Sequence, residues 1–234
     1  MDQPSFEDKS PKKPNINVPN FAHFDFNPRR PGEIALGLTE VWRTQDRGES
    51  WTEISPVLAP RPAVGIAYEA DGDTIWVAFP GGSLFRRSRG PGGDWRWVER
   101  LQPVSVGGLL RCMAIDTRFG AESARIFLGT SGGRVFATRD AGATWDEITG
   151  DLPHIGINCL GAYGSGPGDQ RVVVGNLYGV FFTGGPAGDA TRWTELGRES
   201  FPRGQQVTDM QLDLSRRRIL VGVWGRGAYL CELP

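Results

Sequence analysis

The sequence predicts an all-β chain folded as a β-propeller of about five four-stranded blades. Three observations carry that expectation: turn residues are abundant, a phrase of short alternating strands recurs at intervals of 41 to 51 residues, and a polar octet closing on tryptophan returns between strands.

The first observation is compositional. The 234 residues include 33 Gly and 17 Pro but only 3 Met, and punctuation this dense among scattered Val, Ile, Leu and Trp favours short strands over long helices. The length suits one large all-β core.

The repeat is the stronger signal. A short apolar strand, a glycine turn and a second strand recur from Ile34, Ile75, Ile126, Val172 and Ile219. Gly37, Ala78, Gly129, Gly175 and Gly222 fall in one column, at intervals of 41, 51, 46 and 47 residues, the size of a four-stranded blade. A further alternating strand precedes each phrase and would lie innermost, as in Leu110–Asp116, Ile157–Tyr163 and Val207–Asp213. One of its faces carries large apolar residues (Met113 and Ile115, Met210 and Leu212), and the other small or polar ones (Cys112, Cys159, Gly161, Asp209). Such a split suits sheets packed face to face, large side chains over small.

Residues 1–20 form a polar, Pro-rich lead segment and 21–234 the propeller, with blades at about 21–59, 60–103, 104–153, 154–202 and 203–234. The fifth copy ends after three strands. The expected fourth is Asn15-Ile-Asn-Val18, pairing there to close the ring; the alternative is that the five blades belong to a larger ring.

The octets are Thr44-Gln-Asp46-Arg-Gly48-Glu-Ser50-Trp51 and Thr138-Arg-Asp140-Ala-Gly142-Ala-Thr144-Trp145. Ser88 to Trp95 keeps the length without the Asp, and Thr183 to Trp193 is longer and degenerate. An Asp carboxylate accepts hydrogen bonds from turn amides, Gly allows a backbone other residues resist, and Trp buries a large ring between sheets. These octets resemble the Asp-box (BNR) repeat propellers, which include sialidases, xyloglucan-active glycosidases, sortilin-type receptors and photosystem II assembly factors. The resemblance spans residues 21–234 and implies that Asp46 and Asp140 organise turns remote from any active site.

Charge and cysteine usage exclude several functions. Lys plus Arg is 26 against 27 Asp plus Glu, so no field draws in nucleic acid or an anionic membrane. No stretch is apolar enough to insert in a membrane, and the N-terminus lacks the apolar core of a signal peptide. The chain reads as soluble, with cytoplasm or export after signal removal both open. Cys112, Cys159 and Cys231 match neither a disulfide framework nor metal-ligand spacing. His23, on an inner strand, reads as a hydrogen-bonded core residue, and His154 has no ligand beside it, so no metal and no cofactor are expected.

With strands a to d running outward from the axis, the d–a connections and b–c hairpins share one face and the octets lie on the other. The d–a loops bring Arg61, Asp151, His154, Arg198, Glu199 and Arg203 to the first face, and the b–c hairpins bring Glu40, Phe79, Tyr178, Trp224 and Arg226. Aromatics mixed with charged groups suit a protein or glycan ligand, and non-catalytic binding there is the function expected. Glycoside hydrolysis is the alternative and needs two carboxyl groups across one bond. The resemblance implies an arginine triad, an activated Tyr and an early Arg-Ile-Pro-like motif for the sialidase version; the chain has four tyrosines, and Arg61-Pro62 lacks the middle residue. An assembly factor is the third reading, marked by a basic patch of Arg198, Arg203 and Arg226.

Overall fold

A computed structural model describes residues 11, 22–100, 107–119, 124–166, 169–186, 188, 190–197, 201 and 204–234. Its regular structure is five antiparallel sheets, each a simple meander. The first blade joins β1 (His23–Phe26), β2 (Ile34–Gly37), β3 (Val41–Thr44) and β4 (Thr52–Glu53). The second joins β5 (Gly65–Tyr68), β6 (Ile75–Ala78), β7 (Leu84–Arg89) and β8 (Trp95–Arg100). The third comprises β9 (Leu110–Asp116), β10 (Arg125–Thr130), β11 (Val135–Thr138) and β12 (Asp146–Glu147). The fourth comprises β13 (Cys159–Gly166), β14 (Asp169–Gly175), β15 (Val180–Thr183) and β16 (Thr194–Leu196). The fifth holds three strands among the described residues, β17 (Val207–Asp213), β18 (Arg218–Val223) and β19 (Gly227–Glu232).

The sheets stand as blades around an axis, with β1, β5, β9, β13 and β17 innermost and each packed on the next. One apolar cluster fills each of the four junctions. Phe127, Val135 and Ile148 of the third blade meet Val172, Val174 and Phe181 of the fourth, and Val173 and Val180 on the fourth blade's other face meet Val207, Ile219 and Val221 of the fifth. Period-two alternation explains why β14 serves both junctions: Val172 and Val174 point one way, Val173 the other.

Small residues set the spacing. A Cβ on Gly65 would lie 2.6 Å from Met113 Cβ, and one on Gly161 2.8 Å from Leu212 Cδ1, so the large residues of one inner strand fill space left by glycine on the preceding one. The column glycines do the same one strand further out. Their Cβ sites are taken by Ala63 beside Gly37, Ile157 beside Gly129 and Val207 beside Gly175, each at or two residues before the start of the next blade's inner strand. Beside Gly222 the nearest atoms belong to Thr208 and Asp209 of its own sheet. Phe24, Phe26, Leu220 and Leu230 on the first and fifth sheets are exposed.

The octets form two matching turns. Thr44 Oγ1 accepts from the Gly48 N–H at 2.8 Å, and Asp46 takes the Ser50 N–H at 2.9 Å on one oxygen and the Ser50 hydroxyl at 2.5 Å on the other. In the third blade Gly142 N–H meets Thr138 Oγ1 at 3.0 Å, and the Thr144 N–H and hydroxyl meet Asp140 at 2.8 and 2.6 Å. Each turn needs two consecutive left-handed residues, Arg47 and Gly48 (φ 63° and 95°) and Ala141 and Gly142 (φ 55° and 85°), which these hydrogen bonds hold in place.

The hydroxyls of Ser50 and Thr144, then the backbone N–H groups of the same residues, lower the pKa of Asp46 and of Asp140 to about 2. A carboxylate depressed from 3.8 contributes stability that is complete above about pH 4 and lost as pH falls toward 2. Thermal melts between pH 5 and pH 2 are expected to show a shallower acid loss for Asp140→Asn than for the wild-type chain; equal acid losses would refute the turn-organiser role.

Three placements differ from expectation. Trp97, not Trp95, carries the indole of the second blade's outer strand to the first blade, donating to Ile54 O at 2.8 Å. Trp95 stacks instead under Arg87 and Arg89, 3.9 and 4.7 Å from its ring centre, because β7 and β8 extend two residues further and pair Trp95 with Arg89. His23 is exposed rather than a core residue, although partial burial lowers its pKa and the Asp209 carboxylate of β17 lies within electrostatic reach. The proposed closing strand at 15–18 lies outside the described residues.

Candidate ligand-binding face

The b–c hairpins and d–a connections share one face, and hydrogen bonds fasten them to each other. Ile157 N–H donates to Thr130 O at 2.9 Å, Val207 N–H to Asn176 O at 3.1 Å and Trp224 N–H to Gln206 O at 2.9 Å. The last two bonds make residues 206 and 207 a strap between the hairpins of the fourth and fifth blades. The fourth-blade hairpin turns on Asn176, fully buried, whose Oδ1 accepts from the N–H groups of Tyr178 at 2.8 Å and Gly179 at 3.2 Å. That Asx turn throws Leu177 and Tyr178 outward at 48% and 50% exposure, and the next hairpin carries Trp224 at 67%. Arg226 is exposed beside it. Large apolar groups adjacent on one face are the informative exposure, where a scattered one is not.

The other predicted residues divide. Arg61 and His154 are exposed on the same face. Glu40 and Phe79 lie inside, which corrects their placement on the surface. Glu40, 7% exposed, accepts from Trp42 Nε1 at 2.9 Å and from the Thr39 hydroxyl, and Phe79, 1% exposed, packs edge-on against Phe85 at 6.0 Å. Asp151 accepts the Trp193 N–H at 2.8 Å and faces Arg192 Nε at 3.8 Å, tying the third blade's d–a loop to the fourth blade's outer strand. Arg198, Glu199 and Arg203 lie outside the described residues, so the expected basic patch is represented by Arg226. Leu177 and the turn-forming Asn176 escaped the sequence reading. The Asn-x-x-Gly spacing of Asn176 and Gly179 was the available signal.

Chemically, the face offers apolar rings with peripheral cations. The carboxylates of Glu40 and Asp151 are engaged in holding the fold. Among the described residues no group of three or more His, Cys, Asp or Glu could hold a metal ion, and no helix is long and apolar enough to cross a membrane.

These features define a β-propeller of five blades with two matching Thr-x-Asp-x-Gly turns. No protein-family model matches the chain. A xyloglucanase of Hypocrea jecorina (strain QM6a) is 28% identical over 202 residues, 67% of this chain but 24% of that protein, so the chain spans about a quarter of the curated relative it matches. The extracellular domain of the one-component system BT4673 of B. thetaiotaomicron superposes with a TM-score of 0.62 at 17% identity, covering 94% of this chain and 28% of that one. Saccharomyces cerevisiae Sqt1 superposes with a TM-score of 0.61 at 9% identity, covering 89% and 60%. Both structural likenesses speak to the fold.

Proposed function

We propose that the chain is a non-catalytic binding module that takes a glycan on the b–c/d–a face, with Tyr178 and Trp224 as its contact rings and Arg226 orienting polar groups. The observation carrying this reading is the pair of exposed aromatics on neighbouring hairpins strapped together through Gln206 and Val207. Flat rings held on short hairpins stack on the apolar faces of sugars at little conformational cost. The sequence likeness to a xyloglucanase supports a polysaccharide as the ligand class. A hydrolase reading needs two facing carboxyl groups, one kept protonated near neutral pH; Glu40 and Asp151 are committed to Trp42 and Trp193.

A glycan array followed by calorimetry with xyloglucan oligosaccharides tests this. Trp224→Ala and Tyr178→Ala are each expected to weaken binding about tenfold, while their exposure keeps stability within about 0.5 kcal/mol of wild type. Binding indifferent to both substitutions refutes the site, and turnover of any oligosaccharide refutes the non-catalytic assignment.

A further inference from the structure

At one register position the second blade departs from the other four-stranded blades. Thr44, Thr138 and Thr183 pair with Ile34, Ile126 and Val172, and all three threonines are buried. The equivalent residue of the second blade, paired with Ile75, is Arg87, and it is 5% exposed. Period-two alternation along β7 puts Phe85, Arg87 and Arg89 on the face that looks toward the first blade, where Phe85 packs with Val41 and Tyr68. Arg43, two residues beyond Val41 on β3, approaches from the opposite wall. The apolar junction of these blades therefore ends at its outer corner in three arginines, two of them stacked on Trp95.

These arginines lack a counter-charge. Among the described residues the side chains of Arg43, Arg87 and Arg89 have no hydrogen bond and no ion pair, and the Nε atoms of Arg43 and Arg87 are buried without an acceptor. Glu33 and Asp73 act on Arg87 only from a distance. Glu33 is taken by Arg30, Asn27, Gln45 and Tyr68, and Asp73 by Arg30. Arg86, on the other face of β7, shows the contrast: Glu69 lies 3.8 Å from its Nε. Burial, and then repulsion from Arg43, pushes the Arg87 guanidinium down to about 10. A cation held this deep without an anion is costly.

We propose that Arg43 and Arg87, with Arg89 at the rim, form a binding site for a doubly charged tetrahedral oxyanion: inorganic phosphate or sulfate, or the phosphate of a monoester. Guanidinium forks from two walls donate to separate oxygens of one such group, and two cations without a carboxylate between them match a dianion better than a singly charged carboxylate. The Trp95 ring serves to position Arg87 and Arg89. Ile75 opens β6 beside the hairpin that joins β5 to β6, so the site stands at the end of the sheets opposite the Tyr178 and Trp224 hairpins and is separate from the face proposed to bind glycan.

Calorimetry of the full chain at about pH 8, where phosphate is dianionic, with sodium chloride holding the ionic strength constant, tests this. Phosphate and sulfate are expected to bind saturably, and acetate about tenfold more weakly. Arg43→Gln and Arg87→Met are each expected to weaken phosphate binding by about tenfold or more, whereas Arg96→Gln, an exposed arginine on the other face of β8, leaves it unchanged. Arg87→Met gives a second readout, since it also removes the unpaired charge: without phosphate it is expected to melt no lower than the wild-type chain. Phosphate at about ten times its Kd is expected to raise the wild-type melting temperature by about 3–6 °C and that of Arg87→Met by less than about 1 °C. Glucose 6-phosphate separates the sources. With the arginine dependence kept, binding tighter than that of the inorganic ions assigns the site to a phosphate monoester, and weaker binding assigns it to the free ion. No saturable binding of any of the three, equal binding of acetate, or binding and stabilisation that survive both Arg43→Gln and Arg87→Met overturns the proposal.

Discussion

Trp76→Ala is expected to lower the stability of the chain by about 3–5 kcal/mol. Trp76 is fully buried on β6, at the junction of the second and third blades with Ile126, Leu128 and Phe136. Its indole N–H donates at 2.6 Å to Glu69, itself 2% exposed, and the Arg86 guanidinium lies 5.6 Å from its ring centre. Removing the ring therefore opens a cavity in close-packed surroundings and deprives a buried carboxylate of a donor. Trp76→Phe separates the two effects, since it keeps most of the volume; a loss of about 1–3 kcal/mol is expected from the missing donor. Urea denaturation followed by circular dichroism measures both, and a Trp76→Ala loss below about 1 kcal/mol would contradict this packing.

Gly175→Ala is expected to cost about 1–3 kcal/mol for the opposite reason, overpacking. The added methyl would lie 2.5 Å from Val207 Cγ1 and 2.6 Å from Cys159 Sγ. Neither neighbour is a flexible chain end: Val207 is fully buried and β-branched, and Cys159 sits in β13 beneath it. Relief requires the fourth and fifth blades to move apart and Cys159 to shift within the fourth.

The glycine column was legible in the sequence because the physics that demands it is local: a small residue, Gly or in the second blade Ala78, leaves room for close neighbours, so spacing reveals the blades. The octets were legible because Thr44, Asp46 and Ser50 satisfy one another within a single turn. Where a turn had lost its Asp, as between Ser88 and Trp95, nothing in the chain fixed the hairpin length, and the ring that reaches the neighbouring blade proved to be two residues later. The ligand face was less legible still. Position on a b–c hairpin fixes the end of the sheet a residue occupies, not the direction its side chain turns, so Glu40 swung inward to Trp42 while Tyr178, held by Asn176, turned to solvent. Nor does a sequence show which way the side chains of β1 turn, and His23 turns to an exposed position.

The radial stacking of blades is tested most directly by denaturing Gly175→Ala and Gly222→Ala side by side. The two glycines occupy equivalent positions, but the nearest neighbour of a methyl on Gly222 is the Thr208 hydroxyl of its own sheet at 3.2 Å, followed by backbone atoms of Asp209 in that sheet. Stacking predicts that Gly175→Ala loses about 1–3 kcal/mol and that Gly222→Ala stays within about 0.5 kcal/mol of wild type. Equal losses at both positions would mean that the column glycines serve strand geometry within each sheet rather than contact between sheets.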